Sequence, residues 1–228
     1  MKVAFFSPKN SAEEVIEEIK KFGFTPIHVP MVEIVEREVN EVRDADYTIV
    51  TSKTAAKMAV SKNFVKGDVI AIGEKTAEIL KDFNPITPSK YDSKTLYEEF
   101  RDFLKGRKVN LLRSDKGDEI LLKLSEICDL KEYVLYEIKP IVGEEQKKIV
   151  RRIVEGEIDA VIFSSRLIVR SFFENAKACG IYDKAAKRLN EIKTIALGKP
   201  SWEELKKFGV SAAFPKKYTF SEALKLIR

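Results

Sequence analysis

The chain has 228 residues, 44% of them hydrophobic and 34% charged, with a formal net charge of +5. This length suits two domains, and this composition excludes a disordered chain. No apolar run approaches the roughly 20 residues that span a bilayer, and the first eight residues turn polar too quickly for a signal peptide, so we expect a cytoplasmic protein.

The hydrophobic periodicity alternates between strand and helix, which is typical of α/β proteins with parallel sheets. It predicts strands at Lys2–Phe6, Pro26–Pro30, Tyr47–Val50, Val69–Ile72, Lys108–Leu112, Glu132–Tyr136, Ala160–Phe163 and Thr194–Leu197. It predicts helices at Ser11–Phe22, Thr54–Ser61, Lys75–Phe83, Thr95–Leu104, Asp118–Ile127, Glu144–Glu155, Leu167–Ala176, Ser201–Phe208 and Ser221–Ile227. Ser11 is the expected N-cap of the first helix, and Gly23 is expected to end it.

Three segments recur in the same order in both halves of the chain, which indicates an internal duplication. The matching pairs are Lys2–Phe6 with Lys108–Leu112, Asp44–Ser52 with Glu157–Ser165, and Ile70–Thr76 with Ile195–Ser201. Val32–Glu36 and Tyr136–Pro140 also match and could be crossover strands, so that segments of both halves complete each domain. We expect the halves to face each other across a cleft.

Small or hydroxylated residues follow most predicted strands, in the turns that lead into the next helix. Ligands of parallel sheets bind beyond these strand ends, where the backbone N–H groups of helix starts attract carboxylates and phosphates. The candidate ligand-binding residues are Ser7, Thr51, Ser52, Gly73, Thr76, Ser114, Ser164, Ser165, Gly198 and Ser201. Each could instead serve only as a helix cap, but their recurrence in both halves favours an anion-lined cleft.

The sequence lacks the motifs that indicate several common types of binding or catalytic site. Cys128 and Cys179 lie far apart, so a disulfide or zinc site is improbable and two buried thiols are expected. His28 is the only histidine, and its strand-like surroundings favour a packed or solvated role. The phosphate-loop and dinucleotide fingerprints are absent, and no basic run with interleaved aromatics indicates nucleic-acid binding.

Five segments point together to one family by their order and spacing: Thr51-Ser52, Ala71–Ala77, Val134–Glu137, Asp159–Ser165 and Ile195–Gly198. In these segments the chain resembles uroporphyrinogen-III synthases. The resemblance implies two flavodoxin-like or Rossmann-like α/β domains, with parallel sheets flanked by helices, joined by a two-stranded antiparallel β-ladder. One domain would combine residues 1–34 and 141–228, the other would span 38–135, and residues 35–37 and 136–140 would form the linker.

The resemblance also implies the reaction: hydroxymethylbilane loses water and closes through a spiro intermediate, with ring D inverted, to uroporphyrinogen III. It implies no metal and no cofactor, a small-molecule polycarboxylate as substrate, and a monomer. The lack of a long apolar run predicts that there is no membrane partner. Tyr136 matches the tyrosine that assists departure of the hydroxyl, although an interdomain packing role is the alternative. Thr76 and Ser201 match hydroxyls at paired helix starts, and Ser52 and Ser164 match cleft positions.

The chain departs from the family pattern at Lys199–Trp202 and at Arg166, which replaces a common proline. Lys53, Lys75, Arg166 and Lys199 could add positive charge to the cleft, and Trp202 could fill the core or line the cleft. A non-catalytic sensor or binding protein for a small anion is the main alternative function. A nucleic-acid binder driven by the net charge is a weaker one. High Lys and Glu content with a single Gln suits a heat-adapted source.

Overall fold

The computed structural model describes residues 1–8 and 12–228. The expected N-cap Ser11 therefore lies outside the described residues. The chain forms two compact units. Unit 1 consists of Met1–Glu33 and Lys139–Arg228, and unit 2 consists of Ile34–Ile138.

Strands and helices alternate along the chain. The strands are β1 (Lys2–Phe6), β2 (Thr25–His28), β3 (Val32–Glu36), β4 (Tyr47–Val50), β5 (Asp68–Ala71), β6 (Lys108–Ser114), β7 (Asp129–Pro140), β8 (Ala160–Phe163) and β9 (Lys193–Ala196). The helices are α1 (Glu13–Lys21), α2 (Lys53–Ser61), α3 (Glu74–Ile79), α4 (Ser93–Phe100), α5 (Glu144–Val154), α6 (Arg166–Ala178), α7 (Tyr182–Glu191), α8 (Lys199–Lys207) and α9 (Phe220–Lys225). Lys81–Phe83 and Glu119–Glu126 are 3₁₀ helices.

Unit 1 is built on a parallel sheet whose described strands run in the order β2-β1-β8-β9. The central strands β1 and β8 are almost entirely buried, because helices cover both faces of the sheet. On one face Phe5 packs with residues of α1 and α9. On the other, Phe6, Phe163 and Phe172 form an aromatic group with ring centroids 5.3–5.8 Å apart.

Unit 2 is built on a sheet in the order β3-β7-β6-β4-β5, as far as the described residues go. Strands β4, β5, β6 and β7 are mutually parallel where they pair. The chain passes between the units twice, once within β3 and once within β7. The apolar residues of β4 and β6 alternate between two core clusters, one on each face of the sheet.

The α/β class with parallel sheets is confirmed, but several predicted elements are wrong in detail. Glu119–Glu126 is a 3₁₀ helix rather than the predicted α-helix. The predicted strand Glu132–Tyr136 belongs to one continuous strand, β7, that also includes the predicted linker segment 136–140. Helix α7 was not predicted, because it buries only Ala185 and Leu189 and its apolar stripe is therefore narrow.

The two cysteines differ in environment. Both are free thiols, and Cys128 is buried, which raises the pKa of its thiol. Cys179 is only half-buried, so the expectation of two buried thiols is wrong for this residue.

The packing of α6 on α8 includes a buried carboxylate. Glu204 is 3% exposed and accepts hydrogen bonds from Arg170 Nε at 2.6 Å and Lys207 Nζ at 2.9 Å. The hydrogen bond from Arg170 is the main cause that holds the pKa of Glu204 below its usual range. The folded state therefore favours the carboxylate form of this side chain.

We expect Glu204→Gln to lower the free energy of unfolding by about 1–3 kcal/mol at pH 7, because two cations lose their charged acceptor. Since the folded pKa is lowered, the contribution is present above the unfolded pKa of about 4.3 and is lost as the pH falls below it. Urea unfolding at neutral and acid pH would measure this. Exposed Glu203→Gln on the same helix is the control, and equal effects of the two variants would contradict the prediction.

Candidate active site

Tyr136 and Ser52 form a hydroxyl pair in unit 2. Tyr136 lies on β7 and is 4% exposed, with its ring in a core cluster of the unit. Ser52 directly precedes α2, and its Oγ lies 2.9 Å from the Tyr136 hydroxyl oxygen. Because β6 lies between β4 and β7 in the sheet, the Tyr136 side chain reaches beyond the neighbouring strand to meet Ser52.

The Ser52 hydroxyl has two neighbours that orient it. As the N-cap of α2, its Oγ accepts a hydrogen bond from Ala55 N–H at 3.0 Å. With that acceptor role taken, the Ser52 proton and the second lone pair remain for the Tyr136 hydroxyl. The cap therefore fixes the position of the oxygen that faces Tyr136.

We expect Ser52→Ala to lower the free energy of unfolding by about 1 kcal/mol, the usual cost of losing a serine cap. It should also lower turnover by less than loss of the Tyr136 hydroxyl does, because the phenol survives. Chemical unfolding and steady-state kinetics would measure both effects. Ser61→Ala makes the same chemical change at the other end of α2, where the hydroxyl only donates to Met58 O. If Ser61→Ala has the same effect on turnover, the pair is not specific.

Thr51 and Ser114 lie beside this pair on neighbouring strands. Ser114 aligns with Tyr136 across β6 and β7, at a register shift, and is buried. Its Oγ accepts from Lys116 N–H at 3.3 Å. Thr51 follows β4 and donates its N–H to Leu112 O at 3.3 Å. Unit 2 thus brings four of the predicted residues together: Thr51 and Ser52 directly after β4, Ser114 at the end of β6, and Tyr136 within β7.

Gly73 and Thr76 begin α3, where the chain leaves β5. Thr76 is buried and donates its N–H to Gly73 O at 2.9 Å. A Cβ at Gly73 would lie 2.9 Å from Cβ and Cγ of Tyr91, whose side chain is 59% exposed. The φ of Gly73 is −177°, an extended value that any residue adopts. The glycine is therefore required for the close approach of Tyr91, not for its conformation.

Ser7 of unit 1 is engaged by the only histidine of the chain. His28 Nε2 lies 2.9 Å from the Ser7 carbonyl oxygen and 3.2 Å from its Oγ. Since a carbonyl oxygen can only accept, Nε2 carries the proton. The His28 ring also packs on Phe5, with 4.8 Å between ring centroids. His28 is thus the packed strand histidine that the sequence favours.

A pocket of about 310 Å³ collects the other candidate residues of unit 1. Its lining consists of Ser164, Ser165, Arg166, Leu197, Gly198, Pro200, Ser201 and Tyr218. Ser164 Oγ donates to Phe6 O at 2.9 Å, and Ser165 Oγ caps α6 by accepting from Ile168 N–H at 3.3 Å. Ser201 Oγ donates to Gly198 O at 2.9 Å. The hydroxyls of these serines are therefore held in place by the backbone.

Two exposed tyrosines, one in each unit, were not predicted from the sequence. Tyr218 lies against Gly198 in unit 1 as Tyr91 lies against Gly73 in unit 2. The missed signal was one more matching pair of segments, Pro88-Ser-Lys-Tyr91 and Pro215-Lys-Lys-Tyr218. Trp202 neither fills the core nor lines the pocket: it is half-buried, packs on Phe214, and has Lys206 Nζ 4.1 Å from its ring centroid.

The charge at the helix starts separates two groups of helices. Helices α1 and α5 begin with two glutamates each and end with basic residues, as the helix dipole favours. Helices α2, α6 and α8 begin instead with Lys53, Arg166 and Lys199 and have no acidic residue in the first turn. These three follow β4, β8 and β9 directly. At the ends of β4, β8 and β9, the next helix therefore begins with a positive charge that the dipole does not favour but that suits a carboxylate, whereas α3 after β5 begins with Glu74.

Residues 1–8 and 12–228 contain no group of three or more His, Cys, Asp or Glu side chains placed to hold a metal ion. In the same part of the chain, no helix is both long and apolar enough to cross a membrane.

Comparison with known sequences gives one consistent family. A family model described as uroporphyrinogen-III synthase HemD matches residues 13–225. A protein of Archaeoglobus fulgidus, provisionally named uroporphyrinogen-III synthase, is 36% identical over 228 residues, which cover 100% of this chain and 98% of the relative. A protein of Methanocaldococcus jannaschii with the same provisional name is 27% identical, with 100% and 98% covered.

Two solved structures share the fold. A mutant uroporphyrinogen III synthase of Thermus thermophilus superposes with a TM-score of 0.64 at 19% identity, covering 99% of this chain and 96% of that one. The uroporphyrinogen-III synthetase of Helicobacter pylori superposes with a TM-score of 0.63 at 18% identity, covering 99% and 98%. At these identities the structures establish the α/β architecture.

Proposed function

The chain belongs to the uroporphyrinogen-III synthase family, and from this premise we propose how its residues serve the cyclisation of hydroxymethylbilane to uroporphyrinogen III. The reaction removes one hydroxyl as water, joins the two ends of the linear tetrapyrrole and inverts ring D. Two groups are needed: a donor for the departing oxygen and a set of partners for the substrate carboxylates.

The contact between Tyr136 and Ser52 is the observation that supports a donor role. A tyrosine hydroxyl can donate its proton in a hydrogen bond without carrying a fixed charge. As the carbon–oxygen bond of the carbinol breaks, negative charge develops on the oxygen, and a donor at that atom lowers the barrier. Ser52 would hold the Tyr136 hydroxyl in place and donate a hydrogen bond to the phenol oxygen, so that the Tyr136 proton points to the departing hydroxyl.

The eight carboxylates of the substrate need binding groups that the fold already holds in position before the substrate binds. The starts of α2, α6 and α8, with Lys53, Arg166 and Lys199, supply positive charge at the strand ends. We propose Ser7, Thr51, Gly73, Thr76, Ser114, Ser164, Ser165, Gly198 and Ser201, with Ser52, as the residues that line these binding positions. Loss of a single hydroxyl should matter little there, because backbone N–H groups remain.

We further propose that the chain acts as a cytoplasmic monomer from a heat-adapted organism, without a nucleic-acid or membrane partner. The interleaved Lys and Glu residues of its helices support this, since they suit solvated surfaces and heat-adapted proteins. Light scattering during gel filtration would test the monomer.

A coupled assay with freshly made hydroxymethylbilane tests the function. The products are oxidised and the type I and type III isomers are separated. We expect the type III fraction to rise with protein concentration, because the uncatalysed closure gives the symmetric type I isomer. A binding or sensor protein for small anions would leave the type I isomer as the product, and that result would contradict the proposed function.

A further inference from the structure

The unit 1 pocket is sized for part of a tetrapyrrole. Its volume of about 310 Å³ lies at the lower end of the roughly 300–1,000 Å³ that ligand pockets occupy. Leu197 and Pro200 provide apolar wall, whereas the serines and Arg166 provide polar groups. A site of this size and mixed lining suits one pyrrole ring with its acidic side chains.

Tyr218 supplies the aromatic wall of this pocket. Its ring lies 3.1–3.4 Å from the position that a Cβ of Gly198 would occupy, so a larger residue at this position would push the ring outward by a few tenths of an ångström. The φ of Gly198 is −160°, so the residue is needed for space and not for conformation. The tyrosine is nevertheless 55% exposed. Because the Tyr218 ring packs against the backbone on one side and is exposed elsewhere, it can stack on a flat ring of a ligand.

Arg166 supplies the charge. Its side chain is exposed and lines the pocket. Across the described ranges it takes part in no hydrogen bond or ion pair, whereas Arg170, one turn further along α6, is paired with Glu204. A guanidinium without a protein partner at a pocket is free to bind a carboxylate with two parallel hydrogen bonds.

We propose that this pocket binds one pyrrole ring of the substrate, with Tyr218 against the ring and Arg166 paired with a carboxylate of its side chains. This proposal rests on the proposed function, adds Tyr218 to its binding residues and assigns Arg166 to the ring held in this pocket. Neither residue takes part in bond breaking. Their loss should therefore raise KM and the dissociation constant and leave kcat close to its original value.

The test measures the binding of uroporphyrinogen III, prepared by reduction of uroporphyrin III, by anaerobic titration calorimetry. We expect Arg166→Ala and Tyr218→Ala each to raise the dissociation constant about tenfold, equivalent to about 1.4 kcal/mol. Tyr218→Phe keeps the ring and should bind within about twofold of the original protein. Arg166→Ala should also make binding less sensitive to salt. Lys184→Ala, at an exposed position of α7, is the control for loss of one positive charge.

Failure of the pocket proposal and failure of the proposed function give different outcomes. If the unaltered protein produces type III isomer and both alanine variants bind the probe as tightly as it does, the pocket proposal is wrong. If Lys184→Ala weakens binding as much as Arg166→Ala, the effect is one of net charge, which also overturns it. If the unaltered protein produces only type I isomer, the proposed function itself fails. Circular dichroism of each variant verifies that it is folded.

Discussion

Tyr136→Phe should lower kcat by about 100-fold, the lower range for losing a general acid, while KM changes by less than about threefold. The substitution removes one oxygen and keeps the ring, so the core cluster around Tyr136 stays filled. The lost group is the hydroxyl that lies 2.9 Å from Ser52 Oγ. Because it acts on a bond that breaks, its loss should raise the barrier more than it weakens binding.

Tyr133→Phe is the matched control, since it makes the same change on the same strand. The Tyr133 hydroxyl accepts a hydrogen bond from Arg43 N–H at 3.0 Å. Its removal should cost about 1 kcal/mol of stability and leave kcat nearly unchanged. Initial rates of type III formation for both variants show whether the loss of kcat is specific to the Tyr136 hydroxyl. An unaltered kcat for Tyr136→Phe would remove Tyr136 from the chemistry and leave positioning of the substrate as the main source of catalysis.

Phe172→Ala should lower the free energy of unfolding by about 3–5 kcal/mol, the usual cost of removing a buried phenylalanine. Phe172 has no exposed surface, and its ring is 5.8 Å from Phe6, 5.3 Å from Phe163 and 5.4 Å from Phe173. Phe6 and Phe163 end β1 and β8, directly before Ser7 and Ser164. The aromatic group therefore supports the strand ends at which the site residues of unit 1 begin.

Urea unfolding followed by tryptophan fluorescence would measure this effect, because Trp202 is the only tryptophan and lies in unit 1. Phe172→Leu nearly conserves volume and should cost less than about 1.5 kcal/mol. Phe103→Ala in unit 2 removes a ring that is 51% exposed and should shift the tryptophan transition little. A Phe172→Ala transition that coincides with the original one would contradict the role assigned to the aromatic group.

The central strands could be predicted closely because burial on both faces makes them continuous apolar runs. β1, β4 and β8 have the predicted bounds, and β6 only extends further, to Ser114. Helix type was harder to predict. Glu119–Glu126 has the apolar periodicity of an α-helix and begins after an N-cap residue, Asp118. Its backbone N–H and C=O groups nevertheless pair with the spacing of a 3₁₀ helix. Such a difference depends on hydrogen-bond geometry that a pattern of residue types does not encode.

The sequence predicts the individual site residues but not which of their side chains contact each other. The turns after β4 and β8 were visible as Thr51-Ser52 and Ser164-Ser165, because hydroxylated caps follow apolar runs. The meeting of Ser52 and Tyr136 depends on the strand order β7-β6-β4, which no local pattern gives. Tyr218 was missed for a similar reason, since its approach to Gly198 depends on the path of a loop that returns to the strand end.

A single-turnover reaction with hydroxymethylbilane labelled with ¹³C in ring D tests the central claim most directly. With protein in excess over substrate, NMR of the product locates the label relative to the ring D side chains. The account predicts type III product with ring D inverted, formed within one turnover. Type I product with ring D in its original orientation, formed at the rate seen without protein, would contradict it.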